Sequence, residues 1–342
     1  MTSVNNERTT SVGSDEPATG PGGSRPGLAG RLVNRLKQLG GPIAGLIIMI
    51  IALSFLSPFF LTVTNLTNII AQIADIGIMA AGAFLVILVG GIDLSVAAVM
   101  ALTMMFTAWL NKTAGIPFVA ALVVGLLLGA LIGVINGVLS AYGRVQPFVA
   151  TLATMSAAAG MALFITNGNT INGFPTWFGD LTVATLVGIP LQGLVLIVIY
   201  LAIAFWLRFR PWGRSLYAIG GNEEVARLSG LPVKPLKTLV YVIAGALAAV
   251  AGWINISVLD SAQPTAGSGY LLNVIAVVVI GGASLSGGVG SMGGTFVGLL
   301  IIGVLNNGLS LLHVNPNLQS VVIGAVILAA VLSDRAGAKL RA

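Results

Sequence analysis

Residues 118–142 read FVAALVVGLLLGALIGVINGVLSAY, a run without one charged side chain. A membrane-crossing helix needs about 20 consecutive, mostly apolar residues, so this stretch points to a helical membrane protein. Within it Gly125, Gly129, Gly133 and Gly137 recur every fourth residue and share one helix face. A face without side chains lets a second helix backbone come close. A packing seam is therefore the first reading, and backbone lining a path the second.

Outward from this segment the pattern repeats. Residues 43–61, 69–89, 148–166, 191–209, 236–258 and 295–312 are apolar over comparable lengths. Residues 318–332 are short but strongly apolar, while 94–110 and 271–283 border the glycine-containing breaks GGIDLS and GGASLSGGVGSMGG. If all of them cross, the chain is an all-α polytopic membrane protein of about ten spans. Irregular backbone at membrane depth is tolerated where it is buried in protein or lines a cavity, so the breaks read as discontinuous helices.

Composition agrees: of 342 residues 56% are hydrophobic and only 8% charged, against about 25% charged in ordinary soluble domains. A soluble enzyme is excluded. With Cys 0 and His 1, disulfides, thiolate nucleophiles and two-histidine metal sites are excluded as well, leaving no catalytic set and no metal set. The net charge of +6 would suggest nucleic acid in a soluble protein. In a membrane protein Lys and Arg mark the cytoplasmic side first. With ten spans and both termini inside, 15 of the 16 Lys and Arg fall on one side and only Lys112 on the other. Dropping one doubtful segment inverts everything after it, so 94–110 and 271–283 must both cross or both be re-entrant.

Residues 1–27 are rich in Ser, Thr, Gly and Pro without an apolar run, which reads as a disordered cytoplasmic tail with no signal peptide. In 28–40 Leu28, Leu32, Leu36 and Leu39 share a stripe, with Arg31, Arg35 and Lys37 elsewhere around the helix. That pattern suits a basic amphipathic helix on the membrane surface. Residues 41–334 form the transmembrane domain and 335–342 a second cytoplasmic tail.

No G-x-x-x-x-G-K-[ST] occurs, so the glycines build no phosphate-cradling loop with its lysine, and no cofactor is expected on this chain. A proton relay, which places several ionisable groups in the spans, is poorly supplied: only Asp75 and Asp93 are intramembrane candidates. Asp93 follows Gly90 and Gly91 and suits the cap of a helix beginning at Leu94 or Ser95, with gating as the alternative. Asp75 lies seven residues beyond Asn68, about 10 Å along a helix, where it either accepts hydrogen bonds from a passing solute or pairs with an amide on a neighbouring helix. Asn136, Thr151, Thr154, Asn273, Asn306 and Asn307 are further path candidates, equally explained by interhelical hydrogen bonds. His313 reads as a surface residue.

The long internal loop, RFRPWGRSLYAIGGNEEVARLSGLPVKPLK at 208–237, carries a device. After Gly220 and Gly221, Asn222 suits a helix cap, and Glu223 and Glu224 fall at the positive end of the helix dipole. Arg227 lies four residues after Glu223, while Ser229, Gly230 and Pro232 end the helix. A short, rigid, charged helix at 222–229 is more than a connection needs. It suits docking of a cytoplasmic partner.

Here the chain resembles the permease subunits of bacterial ABC importers for monosaccharides, the ribose, xylose, arabinose and galactoside group. The resemblance covers roughly 41–334 and is carried by GGIDLSV (90–96), GRVQPFVATL (143–152), TNG (166–168), GRSLYAIGGNEEVARLSGLPV (213–233), SAQPTAGSGYLLNVIAVVVIGGASLSGG (261–288) and LNNGLSLL (305–312). It implies a type II ABC-importer-like permease whose helix 222–229 is the coupling helix. It also implies a second permease subunit, identical or a sister, a separate ATP-binding cassette subunit that holds ATP and Mg, and a periplasmic or lipid-anchored sugar-binding protein. The setting implied is the bacterial cytoplasmic (inner) membrane, with no nucleic acid as partner. The sequence departs from the pattern at Ala83 and Phe84 after Gly82, at Ala97 and Ala98, and at Asp75, which leaves the sugar open. A branched-chain amino-acid permease is the near alternative, and a secondary carrier working without an ATPase the distant one.

Overall fold

The structure, a computed structural model, describes residues 28–186 and 188–339. The tail 1–27 and the last three residues of the second tail lie outside the described residues. The chain divides into a small unit, Met1–Lys37, whose described residues are helical, and a large unit, Gln38–Ala342.

Helices dominate. In chain order they are α1 (Leu28–Leu56), α2 (Val63–Gln72), α3 (Ala74–Leu88), α4 (Val96–Lys112), α5 (Phe118–Ala141), α6 (Pro147–Phe164) and α7 (Thr176–Val183). There follow α8 (Leu191–Phe209), α9 (Pro211–Gly221), α10 (Glu223–Leu228), α11 (Val233–Leu259), α12 (Tyr270–Ile280), α13 (Met292–Leu311) and α14 (Pro316–Lys339). Four two-residue strands complete the set: β1 (Ile171–Asn172) pairs antiparallel with β4 (Ser261–Ala262), and β2 (Thr185–Leu186) with β3 (Ile189–Pro190).

Among the described residues α5, α6, α8, α11 and α13 are long and apolar enough to cross a membrane, and α2 with α3 forms a sixth span if the bent pair counts as one. Gly41–Leu56, α4 and α12 are apolar but shorter. The expected continuous helix over 69–89 is broken: α2 and α3 meet at a bend of 44°. At the break Asp75, in the first turn of α3, turns its carboxylate back to accept the Ile76 N–H at 2.7 Å, one of the donors that a helix start leaves without a backbone partner. The two glycine-containing breaks are also real, leaving 91–95 and 281–291 without helix.

The core lies around α3 and α11. All residues of α3 are buried, as befits a helix that is apolar all round. Against α11 lies the glycine face of α5. A Cβ at Gly133 would overlap the Tyr241 carbonyl oxygen and come within 2.7 Å of the Val242 Cα, and one at Gly137 would lie 2.7 Å from the Thr238 Cα. Gly129 meets Gly245, and Gly125 meets Thr107 of α4. Packing therefore explains all four glycines.

The connections sort to two ends of the large unit. At one end β1 pairs with β4, Lys112 donates to the Gly173 carbonyl, the Phe174 N–H donates to Asp260 Oδ1 at 2.8 Å, and Phe118 stacks among Phe174, Trp177 and Phe178. At the other, the Gly288 N–H donates to the Leu88 carbonyl at 2.9 Å, the Tyr217 hydroxyl donates to the Gly290 carbonyl at 3.1 Å, and Lys234 lies over the Tyr142 ring. This second end carries Arg144, Arg208, Arg210, Arg214, Arg227, Lys234 and Lys237, and the first carries Lys112.

Candidate functional site

Two buried polar clusters and one exposed helix hold the sequence candidates. The first cluster forms where helices start or bend. Asp75, in the first turn of α3, is 8% exposed, and its Oδ2 accepts a long hydrogen bond of 3.4 Å from Asn255 Nδ2 of α11. Tyr270, opening α12, interacts with both Asp75 and Asn255. Three helices thus converge on one carboxylate, and the amide partner anticipated for Asp75 is Asn255. Sequence reasoning misses Asn255 and Tyr270. The signal available is a lone amide inside an otherwise apolar span. Asn273, one helical turn after Tyr270, is half-buried.

The second cluster ties down the segment before α4. Asp93 Oδ1 accepts from the Ser95 N–H at 2.8 Å and from Ser95 Oγ at 2.6 Å. The sequence predicts a helix from Leu94 or Ser95, with Asp93 as its cap. The helix begins at Val96 with Ser95 in the cap position, so Asp93 acts on the capping residue instead. Asn136 Nδ2 donates to Ser95 Oγ at 2.9 Å, Thr154 Oγ1 donates to Asn136 Oδ1 at 2.8 Å, and Thr151 Oγ1 donates to the Ile92 carbonyl at 3.0 Å. Gly90 adopts φ +77°, and a Cβ on Gly91 would lie 2.5 Å from the Tyr241 hydroxyl. Asn136, Thr151 and Thr154 are thereby assembled around Asp93 and kept apart from Asp75. Buried polar groups paired in this way rigidify a segment rather than leave it free to bind.

Asn307 belongs to neither cluster. It exchanges two amide hydrogen bonds of 2.9 Å with Asn65 of α2, which occupies both amides in holding α13 to α2. Asn306 is half-buried beside it.

At the basic end, α10 is built as its sequence suggests. Asn222 Oδ1 accepts from the Val225 N–H at 3.0 Å, Ser229 Oγ donates to the Val225 carbonyl at 2.8 Å, and Gly230 turns the chain at φ +80°. The ion pairing differs from expectation. Arg227 grips Glu224 through two nitrogens, at 2.5 and 3.2 Å, and not Glu223. Glu223 is drawn away by Lys237 of α11, at 2.9 Å. The hydrogen bond from Arg227, and then its charge, hold the Glu224 carboxyl below the usual carboxylate range, and Arg227 is raised in turn. Val225 at 57% and Leu228 at 75% exposure leave apolar surface on this helix. Beside it Gly220 of α9 rests directly on Gly288 and the Leu88 carbonyl.

A family of transport proteins described as "Branched-chain amino acid transport system / permease component" matches residues 65–331. The chain belongs to that permease family. It is 48% identical over 297 residues to the ribose import permease of Bacillus subtilis (strain 168), covering 86% of this chain and 92% of that protein. Against the ribose import permease of Escherichia coli (strain K12) the identity is 45% over 302 residues, with 85% and 92% covered. The D-allose transport system permease of Escherichia coli (strain K12) is 39% identical over 291 residues, covering 85% and 89%. No solved structure matches.

The permease is a membrane protein and a transport component. Two surface hollows are apolar: a groove of about 610 Å³ beside Val138, Tyr142, Thr238 and Val242, and a hollow of about 240 Å³ between α8 and α13 lined by Tyr200, Leu201 and Phe296. Neither reaches Asp75 or Asp93. Both carboxylates are themselves buried, Asp75 at 8% and Asp93 at 6% exposure.

Proposed function

We propose that the permease is the transmembrane subunit of an ATP-driven importer of a monosaccharide, of the ribose or allose kind. The observation that carries this reading is its near-full-length likeness to permeases named for ribose import. A separate ATPase subunit, holding ATP and Mg, docks at α10. A second permease copy or sister chain completes the path, and a sugar-binding protein delivers from the far side. The work of ATP binding and hydrolysis, passed through α10, alternates the path between outward and inward openings. Uptake of labelled ribose into vesicles containing the full set of subunits tests the assignment. Uptake that needs every subunit supports it, whereas transport by the purified permease alone overturns it in favour of a secondary carrier. The family description favours one other reading, a branched-chain amino-acid permease, which predicts leucine uptake and no ribose uptake in the same vesicles.

The topology belongs to this reading: ten crossings in the cytoplasmic membrane, both termini inside, with 28–40 on the inner membrane surface. Its support is the collection of basic residues at the end that carries α10, as the positive-inside rule requires. The chain has no cysteine, so single cysteines report cleanly. Lys112→Cys, Asn172→Cys and Gln263→Cys, all exposed, are expected to react with an impermeant reagent added outside, and Ser14→Cys, Gly221→Cys and Ala338→Cys are not. Labelling of Gly221→Cys from outside would invert the arrangement.

Asp75 is assigned to the translocation path because its cluster joins a helix bend to a helix start at membrane depth, where an ionisable group is costly and placed for a purpose. Asp75→Asn keeps the shape and replaces one acceptor oxygen with an amide donor. Uptake is expected to fall severalfold, from the ~0.5–1.5 kcal/mol that a hydrogen bond typically contributes, with normal amounts of protein in the membrane. Unchanged uptake kinetics would take Asp75 out of the path.

A further inference from the structure

The two acids that open α10 face different ways. Glu224 turns outward to Arg227, and both side chains are 64% exposed. Glu223 turns to Lys237, whose side chain is only 9% exposed at the base of α11. These are the two ion pairs among the described residues, and only one of them joins two helices. Lys237 thus keeps its ammonium within the protein at the foot of α11 and meets Glu223 from there, which ties the start of α10 to α11.

What α11 reaches makes the fastening informative. The helix runs from Val233 to Leu259 without interruption. It packs on the glycine face of α5 through Gly245 and Tyr241 and against Gly82 of α3 through Ala244. Asn255 stands 18 residues beyond Lys237, about 27 Å at the helical rise per residue, and there it contacts Asp75. One uninterrupted helix thus has the exposed docking element at its foot and the buried carboxylate cluster near its head.

We propose that the Glu223–Lys237 pair is the strut through which a displacement of α10 drives α11, and through α11 the Asp75–Asn255 contact. Glu223 and Lys237 are positioning residues, and the surface offered to the ATPase is Val225, Leu228 and the Glu224–Arg227 pair. The proposal rests on α10 being the docking helix. In complete transporters reconstituted in liposomes, Glu223→Lys and Lys237→Glu are each expected to leave assembly and basal ATP hydrolysis intact. Stimulation by loaded binding protein should fall roughly tenfold, within the 5–150-fold range of coupling between sites. The charge-swapped double variant, Glu223→Lys with Lys237→Glu, is expected to regain most of the stimulation. No rescue by the swap, or full stimulation in both single variants, overturns the strut. If Lys237→Glu fails to insert, Glu223→Ala serves: its position is more than half exposed, and full stimulation in that variant overturns the proposal equally. Leu228→Asp separates the strut from the reading beneath it. If it abolishes co-purification of the ATPase while the strut variants couple normally, the strut alone fails. If the ATPase still binds, the docking helix itself is wrong.

Discussion

In a complete transporter whose permease carries Glu223→Lys together with Glu224→Lys, ATP hydrolysis is expected to continue at its basal rate and no longer to rise when loaded binding protein is added. Sugar uptake is expected to be lost. The change lies in the water-exposed loop, so membrane insertion is unaffected. Two cations now stand at the positive end of the α10 dipole, where acids are favoured. The ammonium introduced at position 224 would face Arg227 in place of the two-nitrogen grip seen with Glu224. The one introduced at position 223 would face the nearly buried Lys237, which loses its counterion. The charge offered to the partner is reversed as well, and reversal of interface charge acts against association. The measurement is the ratio of stimulated to basal hydrolysis at equal complex assembly. A ratio equal to that of the unaltered transporter would remove α10 from the coupling role.

The second large effect is on folding. Gly133→Ile places a branched side chain where even a Cβ overlaps the Tyr241 carbonyl and lies 2.7 Å from the Val242 Cα. Both obstacles are backbone, so no rotamer change can relieve them, and α5 must separate from α11. Overpacking a core typically costs ~1–3 kcal/mol and more where the backbone has to move. Because α11 also packs on α3 and α4, the loss spreads through the core. The variant is expected to show little monodisperse protein after detergent extraction. Gly160→Ile is the matched control: no atom lies within 4 Å of a Cβ at Gly160 on α6, so the same substitution there is expected to leave extraction unchanged. Equal behaviour of the two variants would refute the seam.

Much of this is legible in the chain because it depends on neighbours in sequence. The Asn222 cap is one turn long, the glycine face of α5 repeats at helical spacing, and the breaks at 90–95 and 281–291 announce themselves by composition. The pairing of Arg227 is misplaced for the same reason. Spacing favours Glu223, one turn away, and cannot see that Lys237, on another helix, claims it.

From the chain alone it follows that the protein is helical and membrane-embedded and that 222–229 forms a short capped helix. These properties rest on hydrophobicity, charge and hydrogen bonds within one turn. The packing of the helices was needed to show that Asp75 meets Asn255, 180 positions away, that Asn136 and Thr154 hold Ser95 and not Asp75's surroundings, and that Asn307 pairs with Asn65. In a membrane-embedded core a buried polar group must find its partner within the protein. Which partner it finds is set by how the helices pack, and helices that pack together are joined by no rule of spacing along the chain.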